Sequence, residues 1–150
     1  MSFPALCATA GTCPWINAGT ASGVLGGVVN ATVTHSQKSE NDATCDFTGH
    51  RGPVAYELHV DVETMTSPRS EFAAYAAKCK SGSTALKAIG TEAIICTIDA
   101  KPGQLSEGVV GRVRNQAFII RIGTSNPSET RASIEDKARR VAEQVAGNLF

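Results

Sequence analysis

The clearest pattern in the chain is an alternation of apolar and polar side chains over residues 54–65. The apolar positions are Val54, Tyr56, Leu58, Val60 and Val62. A period of two predicts a long β-strand with one buried face and one solvated face. Burial of one face is typical of an antiparallel sheet that is covered on one side, whereas a central parallel strand is apolar throughout.

Five other segments predict strands from their β-branched or alternating side chains. They are residues 28–36, 43–48, 93–98, 108–114 and 117–123. The last two are expected to pair as a hairpin across Asn115-Gln116. Residues 99–107, which contain Pro102-Gly103, predict a loop.

Two short helices are predicted in the first half of the chain. Asn17 can cap the first, and Gly26-Gly27 ends it. Ser67-Pro68 begins the second, with the serine as cap and the proline at the first helical position. The apolar stripe of this helix includes Cys79, and Ser81-Gly82-Ser83 ends it.

Residues 133–149 predict a longer helix, because apolar side chains recur along one stripe. Ser133 and Asp136 resemble a capping box at its start. Helices and runs of strands therefore follow one another along the chain, which predicts an α+β fold. We expect a mostly antiparallel sheet of about five to six strands, packed by about three helices. A single domain is expected over residues 13–150, after a disordered tail or linker at 1–12.

Charge and hydropathy exclude several classes of function. Fourteen basic residues balance fourteen acidic ones, so the net charge is zero. Without a basic surplus to neutralise phosphates, nucleic acid is not an expected partner. The longest apolar runs, such as residues 93–98, are too short to span a membrane. A chain without net charge is prone to self-association, so a homodimer is among the expected states.

The chain has five cysteines: Cys7, Cys13, Cys45, Cys79 and Cys96. No two of them form a C-x-x-C pair, and no histidine lies at zinc-ligand spacing from them. Neither a metal nor another cofactor is therefore predicted. Two structural disulfides and one remaining thiol are expected, in a pairing that these spacings leave open. The alternative is that the cysteines are reduced and buried as small apolar residues.

The start of the chain bears on its cellular location. The first basic residue is Lys38, so residues 1–12 lack the positive charge of an intact signal peptide. We expect either a complete cytosolic protein or an exported protein whose signal has been removed. The cysteine content favours export, to the cell envelope or the medium.

Several short motifs resemble those of a known group of proteins. Cys13-Pro14-Trp15 precedes the first helix, and Cys45-Asp46-Phe47 lies on a predicted strand. Ile89-Gly90-Thr91-Glu92-Ala93 resembles a Gly-x-Gly-(Asp/Glu)-Ala turn before a strand. With the hairpin at 109–122 and the last helix, these motifs resemble small bacterial cell-envelope lipoproteins of unknown function, abundant in actinobacteria. The resemblance implies a PsbP-like α/β/α sandwich over most of the chain.

The resemblance also implies an exported protein with a disulfide between Cys13 and Cys45. Cys79 and Cys96 would then be partners. Leu6 stands where a lipobox has a small residue before its cysteine, which counts against lipid attachment at Cys7 and leaves lipidation of the protein open. This group of proteins has no agreed activity, and no catalytic residue is carried over from it.

His59 is the centre of the densest polar cluster. Glu57, Asp61 and Glu63 are spaced from it in steps of two residues, so all four side chains are expected on one face of the predicted strand. Carboxylates beside a histidine could hold a metal or act as acid and base. A solvated strand face requires polar residues in any case, so we predict no catalytic residue and no metal ligand here.

A second candidate site lies on the predicted hairpin. Arg112 and Arg114 are expected on one face of its first strand, with Arg121 on the neighbouring strand. Guanidinium groups placed together favour an anion, so Arg112 and Arg114 are candidate ligand-binding residues. Neither a Gly-x-Ser-x-Gly elbow nor a P-loop sequence occurs in the chain.

These observations favour one functional hypothesis over two others. The first is an exported, non-enzymatic domain at the cell envelope that binds a small ligand or a partner protein between sheet and helix. The second is a small enzyme that uses His59 and the neighbouring carboxylates. The third is a cytosolic interaction domain with reduced cysteines.

Overall fold

The computed structural model describes residues 12–36, 42–79 and 81–150. Within these residues the chain forms three helices and a seven-stranded antiparallel sheet, which confirms the α+β class. The helices are α1 (Ala18–Leu25), α2 (Pro68–Ala76) and α3 (Arg131–Leu149). The strands are β1 (Asn30–His35), β2 (Ala43–Arg51), β3 (Val54–Thr64), β4 (Ser81–Leu86), β5 (Glu92–Thr97), β6 (Leu105–Val113) and β7 (Gln116–Thr124). Except for Thr12, the predicted tail lies outside the described residues.

The strands lie in the order β1-β2-β3-β7-β6-β5-β4, and every neighbouring pair is antiparallel. The described sheet has more strands than predicted, because Ser81–Leu86 forms the edge strand β4. Its small and polar residues predict the end of a helix, and pairing with β5 overrides that local signal. α2 ends at Ala76, so Cys79 follows this helix instead of lying on its stripe.

The first two helices begin at the positions that the sequence predicts. The Asn17 side chain accepts a hydrogen bond from the Thr20 amide at 2.7 Å, and Gly26 ends α1 with a φ of 81°. At the start of α2 the Ser67 amide donates to the Glu71 carboxylate at 2.6 Å. Ser67 precedes the helix as predicted, but its side chain makes no cap hydrogen bond.

Two other boundaries differ from the prediction. β6 begins at Leu105, so the end of the predicted loop at 99–107 belongs to this strand. α3 begins at Arg131, where the Thr130 hydroxyl accepts a hydrogen bond from the Ser133 amide at 3.1 Å. The predicted capping box at Ser133 is therefore wrong, because Ser133 is already inside the helix.

The hairpin of β6 and β7 turns one residue earlier than predicted. Val113 lies opposite Gln116, so Arg114 and Asn115 form the turn. Arg114 has a φ of 55°, the left-handed conformation that a two-residue hairpin turn requires. The prediction that Arg112 and Arg114 share a strand face is wrong, because Arg114 is not in the strand.

The two faces of the sheet differ in how they are covered. α1 and α3 pack on the inner face, where the alternating residues of β3 lie in the core: Tyr56, Leu58, Val60 and Val62. The alternation predicted for this strand is therefore confirmed. α2 packs on the outer face, over β6 and β7. It leaves polar side chains of β2 and β3 on the outer face beside it.

Two disulfides connect these layers. Cys13, in the segment before α1, is bonded to Cys45 on β2. Cys79, just after α2, is bonded to Cys96 on β5. These are the pairs that the resemblance implies, whereas Cys7 lies outside the described residues. Each disulfide therefore ties a helical segment to one face of the sheet.

The sequence predicts no membrane-spanning helix. Among the residues that the structure describes, no helix has both the length and the apolar character needed to cross a bilayer.

Candidate functional site

A cleft of about 630 Å³ lies where the outer face of the sheet meets α2. Its walls are the end of β1, the start of β2, the end of β3 and one side of α2. The lining residues are Thr34, His35, Ser36, Asp42, Ala43, Thr44, Asp61, Val62, Glu63, Thr64, Thr66, Glu71 and Tyr75. The cleft arises because α2 covers only part of the outer face, so the neighbouring strands form an open floor beside it.

Apart from His35, the ionisable side chains with an ordinary charge among the described lining residues of the cleft are all carboxylates. Four carboxylates line it: Asp42, Asp61, Glu63 and Glu71. Among the described residues that line it there is neither lysine nor arginine. The cleft therefore presents negative charge, together with the hydroxyl groups of several threonines and of Tyr75.

Asp42 and Glu71 are engaged in holding the backbone. Asp42 accepts hydrogen bonds from the Thr64 amide at 3.0 Å and from the Thr64 hydroxyl at 2.7 Å. Glu71 accepts a hydrogen bond from the Ser67 amide at the start of α2. These two carboxylates fix the ends of β3 and α2, and thereby the shape of the cleft.

Asp61 and Glu63 are neighbours on the outer face of β3. Burial raises the pKa of Asp61, and the nearby Glu63 carboxylate raises it further. A hydrogen bond of 2.7 Å from the Thr44 hydroxyl opposes this shift only in part. The two negative charges therefore disfavour each other, and a cation bound between them would relieve this repulsion.

Tyr75 links α2 to this acidic pair. Its hydroxyl donates a hydrogen bond to Glu63. Burial, together with the Glu63 carboxylate, raises the pKa of Tyr75 far above its ordinary value. Tyr75 therefore stays protonated and acts as a donor, while the Lys78 ammonium lies 5.5 Å from the centre of its ring.

His59 lies on the same face of β3 but outside the cleft. Its Nδ1 is 2.7 Å from Asp46 on β2, so the carboxylate that it contacts comes from the neighbouring strand. In the described part of the chain no hydroxyl or thiol hydrogen-bonds to His59. No group of histidine, cysteine, aspartate and glutamate side chains there could hold a metal ion.

Glu57, the first acidic residue of β3, is neutralised by basic side chains. It contacts Arg121 on β7 at 2.5 Å and Lys101 at 3.8 Å. Burial alone would raise the pKa of Glu57, but the two basic groups outweigh it and the pKa is lowered. Of the polar residues that surround His59 in sequence, the structure thus brings only Asp61 and Glu63 into the cleft.

The two arginines of the hairpin are engaged elsewhere. The Arg112 guanidinium forms an ion pair with Glu92 at 3.1 Å and donates to the Arg114 carbonyl at 2.7 Å. The Arg114 amide donates to the Thr91 hydroxyl at 2.9 Å. The geometry places one side chain on β6 and the other at the turn, and Arg112 already has a carboxylate partner.

The sequence does not predict the cleft. The alternation along β3 places Asp61 and Glu63 on one face, but it gives no reason to separate them from His59. Tyr75 appears in the sequence only as part of an apolar stripe. The missing information is the position of α2, which decides which end of β3 is enclosed.

Glu107 is a buried carboxylate outside the cleft. It lies on β6 with only 1% of its surface exposed, 2.9 Å from Arg131 and 3.0 Å from the Thr97 hydroxyl. Burial raises the pKa of Glu107 above its usual 4.5, although Thr97 and Arg131 oppose the shift. The folded chain therefore binds a proton at Glu107 more tightly than the unfolded chain does.

We predict that Glu107→Gln gains stability relative to the parent as the pH rises from 4 to 7. A raised pKa means that the parent loses stability as the pH rises through the folded pKa, whereas glutamine does not titrate. Urea unfolding of both proteins at a series of pH values measures the difference. A free-energy difference that is constant over this range would contradict the prediction.

Comparison of the chain with protein-family models, with curated proteins and with solved structures found no match.

Proposed function

We propose that this protein is an exported, non-enzymatic binding domain of the cell envelope, whose ligand is a small cation held in the cleft. The observation that carries this proposal is a ligand-sized cleft whose described lining has four carboxylates and no basic side chain except His35. Its volume is within the range of pockets that hold small molecules, roughly 300–1,000 Å³.

An ammonium or guanidinium group fits the chemistry of the cleft floor. It would lie between Asp61 and Glu63, where each carboxylate oxygen can accept a charge-assisted hydrogen bond. The Thr44 hydroxyl, which already contacts Asp61, and the Tyr75 hydroxyl extend this polar surface. A ligand with two or more such groups would make the best use of the available carboxylates.

Two features support export and the proposed PsbP-like architecture. Disulfides persist in oxidising compartments, and the described cysteines form two of them. The helices lie on both sides of the sheet, α1 and α3 on one face and α2 on the other, as an α/β/α sandwich requires. The cytosolic alternative needs the same four cysteines to be reduced.

The direct test is titration with spermidine, a linear polyamine, followed by isothermal calorimetry. We expect binding to the parent and a loss of affinity of about tenfold or more in Asp61→Asn/Glu63→Gln, because two charge-assisted contacts are removed. Binding should also weaken when the pH is lowered. Since the pKa of Asp61 is raised, this loss should begin at a higher pH than an ordinary aspartate would give.

The matched control is Asp136→Asn/Glu143→Gln on α3, which removes the same charge at a site away from the cleft. It should bind spermidine as the parent does. Absence of spermidine binding to the parent would refute the proposal. An equal loss in both double variants would mean that net charge, rather than the cleft, attracts the polyamine.

A small enzyme remains the second candidate function. The observation that favours it is the contact of 2.7 Å between His59 and Asp46, which could orient the imidazole as a general base. His59→Ala should then abolish any turnover detected with the parent while leaving spermidine binding intact. Turnover unchanged by this substitution would remove His59 from consideration.

A further inference from the structure

β1 is an edge strand whose own residues, Asn30–His35, carry neither a proline, a bulge, a lysine nor an acidic side chain against pairing. It lies at one end of the sheet, and in the described part of the chain only β2 pairs with it. Its sequence is Asn-Ala-Thr-Val-Thr-His, with no proline, lysine or acidic residue, and its register with β2 is unbroken. The opposite edge strand, β4, is interrupted by a register shift between Ser81 and Thr84.

The hydrogen bonds of β1 show which of its backbone groups face outward. The Ser36 amide, just after the strand, donates to the Asp42 carbonyl at 2.9 Å. In an antiparallel pair such hydrogen-bonded positions alternate, so the even-numbered residues of β1 bond to β2. The amide and carbonyl groups of Ala31, Val33 and His35 therefore point away from β2, to the edge of the described sheet.

We propose that β1 pairs with β1 of a second copy of this chain, antiparallel and about a two-fold axis at Val33. In this register Val33 lies opposite Val33 of the second copy, and Ala31 lies opposite His35. All three outward-facing residues of each strand are then used, which gives about six main-chain hydrogen bonds. A register shifted to Thr32 would use only two of these residues in each strand.

The side chains of β1 are complementary to themselves in this register. On the outer face Thr32 lies opposite Thr34 of the second copy, a neutral β-branched pair of the kind that stabilises sheets. Among the residues of β1 itself, Asn30–His35, no lysine, arginine or carboxylate faces another charged side chain across the junction. The zero net charge of the chain adds no overall repulsion between copies, which argues for a second copy rather than a charged partner as the occupant.

The pairing also extends the cleft, a consequence that rests on the proposed function. Thr34 and Ser36 line the cleft on the outer face of β1. In the dimer Thr32 of the second copy lies beside Thr34, and Asn30 of the second copy lies beside Ser36. Each cleft would therefore gain two polar side chains from the other copy, and both clefts would open on the same side of the joined sheet.

Sedimentation velocity over a concentration series tests the pairing without using any ligand. A junction limited to one strand is small, so we expect the parent to dimerise reversibly rather than permanently. Thr32→Lys/Thr34→Lys places lysine opposite lysine twice, whereas Thr32→Lys/Thr34→Glu places lysine opposite glutamate twice. We expect the first variant to dissociate at least about tenfold more readily than the second.

The single variant Thr32→Lys distinguishes the two registers. In the register centred on Thr32 the new lysine would lie opposite the same lysine of the second copy, whereas in the register centred on Val33 it lies opposite Thr34. This variant should therefore dimerise nearly as the parent does. A parent that remains monomeric up to about 1 mM, where affinity becomes negligible, would overturn the proposal. Equal dissociation of the two double variants, with matching thermal unfolding, would also overturn it. Calorimetry with spermidine measures binding to the cleft, whereas sedimentation of the protein without spermidine measures dimerisation. A failure of the proposed function and a failure of the proposed dimer can therefore be told apart.

Discussion

Replacing Cys13 and Cys45 by alanine is expected to lower the free energy of unfolding by about 3 to 4 kcal/mol. The disulfide closes a loop with a sequence separation of 32, and its loss restores chain entropy to the unfolded state. Both residues are also in the core, since Cys13 is 6% exposed and Cys45 is fully buried. The substitution therefore releases the segment before α1 from the sheet as well as relaxing the unfolded chain.

Urea unfolding in a Cys7→Ala background measures this change without interference from a third thiol. Cys79→Ala/Cys96→Ala is the comparison, because its separation of 17 closes a shorter loop and gives an expected loss of about 3 kcal/mol. Cys13→Ala/Cys45→Ala should have the lower free energy of unfolding of the two variants. Equal unfolding midpoints of parent and Cys13→Ala/Cys45→Ala under oxidising conditions would show that this bond does not stabilise the fold.

The elements that the sequence predicts well are those with long, regular periods. The alternation of β3 and the apolar stripe of α3 each extend over many residues, so a few residues that depart from the pattern do not change the predicted element. β4 is short and consists mainly of small polar residues, and its extended conformation depends on β5. Its backbone hydrogen bonds form only by pairing with β5, so the residues of β4 alone do not predict a strand.

The candidate site depends on the same kind of information. The sequence places Asp61 and Glu63 on a polar strand face, and the structure shows that this face is only partly solvated. Asp61 is partly buried because it lies in the cleft between α2 and the end of β1. Neither the distance between these elements nor the cleft volume follows from a periodicity.

Glycine in β6 is a second feature that the sequence does not explain. Gly111 lies opposite Phe118 on β7, on the inner face of the sheet. A Cβ atom at Gly111 would come within 2.4 Å of the Phe118 ring and 3.0 Å of the Ala93 methyl group. The glycine, which weakens a strand by itself, is therefore required because the aromatic ring occupies the space above it.

The contact between Gly111 and Phe118 predicts strongly non-additive effects of substitution. Phe118→Ala is expected to cost about 3 to 5 kcal/mol of stability, because the ring is fully buried and leaves a cavity. Gly111→Ala is expected to cost about 1 to 3 kcal/mol in the parent, since the rigid ring cannot move aside. In the double variant the new methyl group fills part of the cavity, so its total cost should not exceed that of Phe118→Ala alone.

Urea unfolding of the parent, both single variants and the double variant gives the coupling free energy directly. Gly147→Ala on α3 is the matched control, because nothing lies within 4 Å of its added Cβ atom. It should be neutral or stabilising, since alanine favours a helix by up to about 1 kcal/mol over glycine. Additive costs at Gly111 and Phe118 would mean that the ring and the glycine do not meet, and that the packing of β6 against β7 differs from the structure.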